Sequence, residues 1–407
     1  MRNPFVIQRD IIYGEPFCDR EEEIKRYLSA ARMGESLCLI SPRRYGKTSL
    51  LNQVAGKLEA QGWLTAKIDC MQTLSDVELA KEVERTRLGL LGTWRRAAHK
   101  LGQTVQDHKQ TRIDFDLEDI HFSLGLGGPE ETNGRTLLRG SLSRLREFPE
   151  KTGTSLMVYI DEFQRMREMA PEGNLEAMIR AVFQKRTEKF LPMYLGSRRH
   201  MLKMMFADKS APLFKSATIL SLDTIRDTSF AIFANRQFKQ TLKAHLPDNL
   251  AVSMCRFFQG HPHLLNRTSA LIWDTCLRDR IRTVTKKICI AAILTVVREE
   301  TDAFLEFNRK TPLKQIEVLR QIAIRGTVPK PYAMEFLRIC NISQSQMQKI
   351  IAALVEDDRI HRDDSGIRIL DPLEGLALKM IGRGMEWRFE MIENFLNEAE
   401  VGIESGR

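Results

Sequence analysis

The stretch Ser41-Pro42-Arg43-Arg44-Tyr45-Gly46-Lys47-Thr48-Ser49 sets a glycine, a lysine and two hydroxyls side by side directly after an apolar run. In a phosphate-binding loop, main-chain N–H groups at a strand-to-helix turn cradle the phosphates and the helix N-terminus adds a favourable dipole. Lysine contacts the β and γ phosphates, and the hydroxyl binds Mg²⁺. Gly46, Lys47 and Thr48 supply those parts, while Ser41 replaces the first glycine of G-x-x-x-x-G-K-[ST]. The setting lifts this above a chance G-K-T: the run at 36–40 reads as a buried parallel strand, and a helical pattern follows from 49 to about 61.

A second apolar strand ends in Ile160-Asp161-Glu162. There Asp161 can hold Mg²⁺, directly or through water, and Glu162 can orient or deprotonate an attacking water. The competing reading is that both carboxylates cap the next helix. A further strand ends in Gly196-Ser197-Arg198-Arg199. Ser197 can reach a γ phosphate or the attacking water, and Arg198 or Arg199 can stabilise transition-state charge or face solvent as a surface cation. The seven cysteines form no C-x-x-C pair, and the eight histidines form no H-E-x-x-H pattern. His261-Pro262-His263 has no cysteine nearby, so reduced thiols and no transition metal are expected.

These residues need a scaffold, and the pattern along the chain describes one. A helix over 21–31 is introduced by Asp19 as N-cap and ends near Gly34. Strands follow at 36–40, 63–68, 155–160 and 191–195, with helices over 49–61, 75–100 and 136–146 between them, the arrangement of a mostly parallel sheet covered on both faces. Residues 113–126 suggest an extended excursion closed by Gly125-Leu126-Gly127-Gly128-Pro129. From 223 the pattern is helical (230–242, 250–259, 264–278, 286–307). After 310, helices over 313–324, 332–339 and 344–356 precede a hairpin at 360–370, the order of a winged helix. The expected domains are a core over 1–222, a helical lid over 223–309, and a winged helix with C-terminal helices over 310–407.

A length of 407 residues suits two or three domains, and 43% hydrophobic with 28% charged residues excludes a disordered chain. Apolar runs such as 288–297 are too short to span a bilayer. Met1-Arg2-Asn3-Pro4-Phe5 leads to Arg9, Asp10 and Glu15 with no apolar h-region, so no membrane partner and a cytoplasmic location are expected. The net charge is +9, yet residues 311–407 carry 13 basic and 15 acidic side chains, which puts the basic excess upstream.

Taken together, Asn3-Pro4-Phe5, Phe17-Cys18-Asp19-Arg20-Glu21, the Ser41–Leu51 loop and helix start, Ile160-Asp161-Glu162-Phe163-Gln164 and Gly196-Ser197 resemble the archaeal-type P-loop ATPases, relatives of the AAA+ and STAND proteins. Ala211-Pro212-Leu213-Phe214, Gly260-His261-Pro262 and Asp371-Pro372-Leu373 extend the likeness through the lid to the segment after the wing. The resemblance implies an α/β fold of ASCE/AAA+-like P-loop NTPase type with a mostly parallel sheet, an α-helical lid domain and a C-terminal winged-helix domain. It further implies ATP and Mg²⁺ as cofactors, Lys47 and Thr48 as phosphate and Mg²⁺ ligands, Asp161 and Glu162 as the Walker B pair, Ser197 as sensor, and Arg20 on the helix leading into the nucleotide side. Lys215-Ser216 stands where relatives often carry glycine-arginine, so an arginine from that point is missing.

Three functions follow as expectations. The first is a Mg²⁺-dependent ATPase acting as a nucleotide-controlled switch on a protein partner or on further copies of itself. The second is a DNA-binding ATPase of replication-initiator or transposition-regulator type; the third is a nucleotide-binding subunit of a defence or toxin complex. Residues 185–215 hold eight lysines and arginines against two acids, a surface that can bind a phosphate backbone, meet a neighbouring subunit or simply face water. The winged helix invites double-stranded DNA, but Glu356-Asp357-Asp358 and Asp363-Asp364 flank the proposed wing and argue for a protein contact.

Overall fold

The computed structural model describes residues 2–5, 11–100, 134–184, 189–381 and 387–404. The expected extended segment at 113–126 lies outside these residues, as do Lys185, Arg186 and Glu188 of the basic stretch. Five parallel strands, β1 (Leu37–Ile40), β2 (Leu64–Asp69), β3 (Leu156–Asp161), β4 (Phe190–Gly196) and β5 (Thr218–Ser221), form a sheet in the order β2-β3-β4-β1-β5. Every residue of β1, β3 and β4 is buried, as expected of parallel strands covered on both faces. Side chains alternate between the faces. Leu37, Leu39, Met157 and Tyr159 pack with Tyr27 of α1 (Glu21–Met33) and with Leu50, Val54 and Leu58 of α2 (Lys47–Glu59). Cys38, Ile40, Val158 and Ile160 pack on the opposite side with α3 (Asp76–Lys100), α4 (Gly134–Thr152) and α6 (Asn174–Phe183). The short α5 (Arg165–Met169) follows β3, and α7 (Arg199–Ala207) follows β4.

Because β4 lies between β1 and β3, three strand ends meet at one edge. Ile40 pairs with Gly196, and Ile160 with Tyr194, so Ser41, Asp161 and Ser197 leave the sheet side by side. β5 was not anticipated from the sequence: its mixed Thr218-Ile219-Leu220-Ser221 is a half-exposed edge strand without the apolar run of the central three.

Four helices follow, α8 (Asp227–Leu242), α9 (Asp248–Phe257), α10 (Pro262–Arg278) and α11 (Lys286–Asn308), around a separate apolar cluster that includes Phe230, Phe238, Met254 and Trp273. Phe5 belongs to this cluster, as do Trp387, Ile392 and Leu396 near or on α16 (Phe389–Glu404), so residues far apart in sequence pack on the lid helices. The third unit has α12 (Leu313–Arg325), α13 (Met334–Cys340) and α14 (Gln344–Glu356) against an antiparallel sheet in the order β6-β8-β7, from β6 (Thr327–Val328), β7 (Ile360–Asp363) and β8 (Gly366–Ile369). α15 (Pro372–Ile381) follows the hairpin. Ser343 and Gln346 form a reciprocal capping box at the start of α14, satisfying N–H groups that the helix itself cannot.

Asp19 does not cap α1. The N-cap position is Arg20, with no side-chain cap bond, and Asp19 adopts φ +53°. Its carboxylate instead accepts from the Arg226 main-chain N–H at 2.8 Å and from the guanidinium at 2.6 and 3.0 Å. Buried Arg20 donates to Asp223 O at 2.6 Å, so the segment before α1 grips the connection between core and lid from two sides. The seven cysteines are free thiols, six of them buried.

Candidate functional site

The loop after β1 turns back on itself through two left-handed residues, Arg44 at φ +64° and Gly46 at φ +86°. Glycine takes that conformation without a Cβ penalty, and Gly46 then serves as N-cap of α2. Ser41 is fully buried, and its main-chain N–H continues the ladder to Gly196 O at 3.4 Å, so the serine in place of the first glycine fits as the last rung of β1. Lys47 is buried at the first position of α2, and its ammonium donates to Ser41 O and Pro42 O at 2.9 Å each. Burial lowers the Lys47 pKa, against the opposing pull of Glu162 and Asp161.

Thr48 and Asp161 face each other across the gap between α2 and β3, with Thr48 Oγ1 donating to Asp161 Oδ2 at 3.3 Å. A hydroxyl and a carboxylate oxygen at one point are hard donors of the kind Mg²⁺ takes beside nucleotide phosphates. Asp161 Oδ2 also meets Lys67 Nζ of β2 at 3.0 Å, and the same ammonium lies 3.2 Å from Asp69 Oδ2. Burial works against the Lys67 charge, but Asp161 and Asp69 outweigh it and hold its pKa above the usual lysine range.

Glu162 has φ +51°, a conformation that costs a residue with a Cβ and persists where the surroundings fix it. Its N–H donates to Asp161 Oδ1 at 3.0 Å, and the next N–H, of Phe163, donates to Leu195 O at 2.8 Å. Glu162 Oε2 accepts from Ser197 Oγ at 2.8 Å and from Gln164 Nε2. Gln164 passes so close to β4 that a Cβ on Gly196 would stand 2.1 Å from its Oε1 and 2.6 Å from Leu202 Cδ1, so a larger residue before Ser197 would have to displace both side chains. Asp161 and Glu162 therefore do not cap the following α5, whose N-cap is Gln164 without a side-chain cap bond.

The two arginines after Ser197 separate. Arg198 is exposed, with Nε 3.4 Å from Glu168, whereas Arg199 is half-buried with its Nε lacking a hydrogen-bond partner. Helix α7 packs against α14, and Asp358, just beyond α14, sits half-buried among the charges of Arg199, Arg198 and Lys47. Burial raises the Asp358 pKa to about 6, against the charges of Arg199, Arg198 and Lys47. The acidic flank of the wing thus faces the arginines and lysine of the core. Of the basic stretch, Lys189, Arg198, Lys203, Lys209 and Lys215 are exposed.

The lid also reaches the loop. Arg44 pairs with Glu300 of α11 at 3.2 Å, and the Tyr45 ring stands edge-on to His261 at 4.9 Å between centroids. Burial depresses the His261 pKa to about 3. A histidine with a folded pKa below its unfolded value of about 6.5 favours the folded state at neutral pH and loses that contribution as pH falls from 6.5 towards 3. His261→Phe, which keeps the edge contact, should therefore flatten the acid loss of stability by about 2 kcal/mol between pH 7 and pH 5, read from denaturant unfolding of both proteins.

Sequence reasoning brought Ser41–Ser49, Asp161, Glu162 and Ser197 to one place, and the structure puts them there. It missed Lys67, Gln164 and His261 as neighbours of that site. A charged residue inside a short strand, two positions before Asp69, was the available signal for Lys67.

The strand order, the loop after β1, the acid pair closing β3, the lid and the winged helix define the class: the fold is that of the ASCE/AAA+-like P-loop NTPases. A Walker-type ATPase of Pyrococcus abyssi shares it with a TM-score of 0.66 at 20% identity, over 92% of this chain and 99% of that one. The ORC2 protein of Aeropyrum pernix, in its ADPNP–ADP complexes, follows at a TM-score of 0.56 and 12% identity, over 99% of this chain and 98% of that one. No family model and no curated protein matches the sequence. Among the described residues no helix is long and apolar enough to cross a membrane.

Proposed function

We propose that the chain is a Mg²⁺-dependent ATPase whose nucleotide state sets the arrangement of core, lid and winged helix. The observation that carries this is the convergence of Lys47, Thr48, Asp161, Glu162 and Ser197 on the ends of β1, β3 and β4. In this reading the N–H groups of the loop and Lys47 hold the β and γ phosphates, and Thr48 and Asp161 hold Mg²⁺, which would neutralise phosphate charge. Glu162 orients the attacking water, and Ser197 and Gln164 hold its carboxylate until it is needed. Arg199 is better placed than Arg198 to sense the winged helix, since it opens the helix α7 that packs on α14 and its charge acts more strongly on Asp358.

The coupling has a physical route. Arg44 and Tyr45 carry the loop's position to Glu300 and His261 of the lid, and the packing of α14 on α7, with Asp358 beside Arg199, ties the winged helix to the segment that follows Ser197. Any shift of loop or sensor on nucleotide binding therefore loads two interdomain contacts at once.

For what the ATPase acts on, the likeness to an ORC2 protein along nearly the whole chain supports the DNA-binding, replication-initiator type of reading over a protein-gating switch. The exposed cations Arg198, Lys203, Lys209 and Lys215 supply a surface for it. The test is double-stranded DNA binding against salt, with and without ATP. The reading expects ATP-enhanced binding that weakens as salt rises, with Lys203→Ala and Arg198→Ala each reducing the slope of log K against log salt by roughly one. DNA binding that ignores ATP, or none at all, returns the assignment to a protein partner.

A further inference from the structure

Strands β2 and β3 are parallel and in register, with Lys67 opposite Tyr159 and Asp69 opposite Asp161. Alternation then places Lys67, Asp69, Tyr159 and Asp161 on one face of the sheet, the face on which Tyr159 packs against α2. Thr48 lies in the first turn of that helix. The Lys67 ammonium consequently arrives at the same Asp161 Oδ2 that Thr48 faces, at 3.0 Å against 3.3 Å for the hydroxyl. Asp69 Oδ2 stands 3.2 Å away on the open side and is about half exposed.

We infer that Lys67 is a tethered counter-ion to Asp161, a positioning residue that sets how readily a divalent cation takes that carboxylate, with Asp69 as the site to which its ammonium withdraws. The inference rests on the reading of Thr48 and Asp161 as the Mg²⁺ site. An ammonium and a divalent cation cannot both lie in contact with one carboxylate oxygen without strong repulsion. Binding of the cation at Oδ2 therefore requires the ammonium to leave, and the neighbouring Asp69 lets it leave without losing its pairing. Before the cation arrives, Lys67 keeps Asp161 oriented and paired. Unpaired, that carboxylate would be costly in its buried position. A simple staple between β2 and β3 would use the same ion pairs but would have no consequence for the cation.

Two variants separate these ideas because they act with opposite signs. Lys67→Met keeps the length of the side chain and removes the competitor. Asp69→Asn keeps the acceptor for the Met71 N–H, which Asp69 Oδ1 binds at 2.9 Å, but removes the charge that draws the ammonium away. The measurement is the Mg²⁺ concentration that half-saturates binding of a fluorescent ATP analogue to the full chain, with no turnover involved. Lys67→Met should lower it roughly fivefold to tenfold, and Asp69→Asn should raise it by a similar factor. Equal half-saturation in wild type and both variants, or a shift of both in the same direction, overturns the inference while leaving the site assignment standing. Analogue binding by the wild type that is indifferent to Mg²⁺ overturns the site assignment itself, and the inference with it. Should Lys67→Met fail to fold, the rise in Asp69→Asn decides alone.

Discussion

Replacing Glu162 with glutamine should leave ATP binding within about twofold of wild type and lower the rate of phosphate release by roughly 100-fold or more. The substitution is isosteric, and an amide oxygen can still accept from the Ser197 hydroxyl that now reaches Glu162 Oε2 at 2.8 Å. The neighbouring Asp161 with its Thr48 contact, and the Lys47 loop, are untouched. What disappears is the charge that turns a bound water towards phosphorus, a contribution made only in the transition state. The check is paired: equilibrium binding of a fluorescent ATP analogue and single-turnover phosphate release on the same preparation. Loss of binding equal to the loss of rate would mean that Glu162 builds the site rather than serving the reaction.

The second large effect is expected from Lys47→Ala, which should abolish detectable ATP binding at micromolar protein. Charge-assisted hydrogen bonds contribute about 1.5–3 kcal/mol each, so losing two to phosphate oxygens weakens binding by roughly two to four powers of ten. Lys47 also donates to Ser41 O and Pro42 O at 2.9 Å, and alanine leaves both carbonyls without that donor. A loss of loop order must therefore be separated from a loss of phosphate contact. Lys47→Arg retains a charged donor and should recover part of the binding if charge is what matters, while thermal unfolding of both variants reports any damage to the fold. Wild-type ATP affinity in the alanine variant would remove Lys47 from the site.

The parts of this molecule legible in its sequence are those governed by short-range rules. β1, β3 and β4 announce themselves as unbroken apolar runs because parallel strands buried on both faces have no polar side to display. The loop before Lys47 follows from Gly46 and the adjacent helix, and the acid pair at 161–162 from its position at a strand end. The parts that escaped depend on register and tertiary approach. Nothing local says that Lys67 points at Asp161; that follows from the parallel pairing of β2 with β3 across a connection of more than eighty residues. Asp19 has the residue type and position of an N-cap, yet Arg226 offers its carboxylate three donors, its main-chain N–H and two from the guanidinium, against the one or two of a helix terminus. Asp358 reads as part of an acidic flank, and only the packing of α14 on α7 brings it to Arg199.

The contacts between loop, lid and wing also bear on how the units communicate. The P-loop touches the lid through a charge pair and an aromatic edge, both of which depend on the backbone of Arg44 and Tyr45. The third unit meets the core where α14 packs on α7, beside Asp358.

The most direct test of the central claim is ATP hydrolysis by the purified full chain in Mg²⁺, with and without double-stranded DNA, with Lys47→Ala and Glu162→Gln measured in parallel. The account predicts turnover that requires Mg²⁺, rises with DNA and vanishes in both variants. Wild-type protein that neither binds nor hydrolyses ATP under these conditions, or turnover that survives both substitutions, would contradict it.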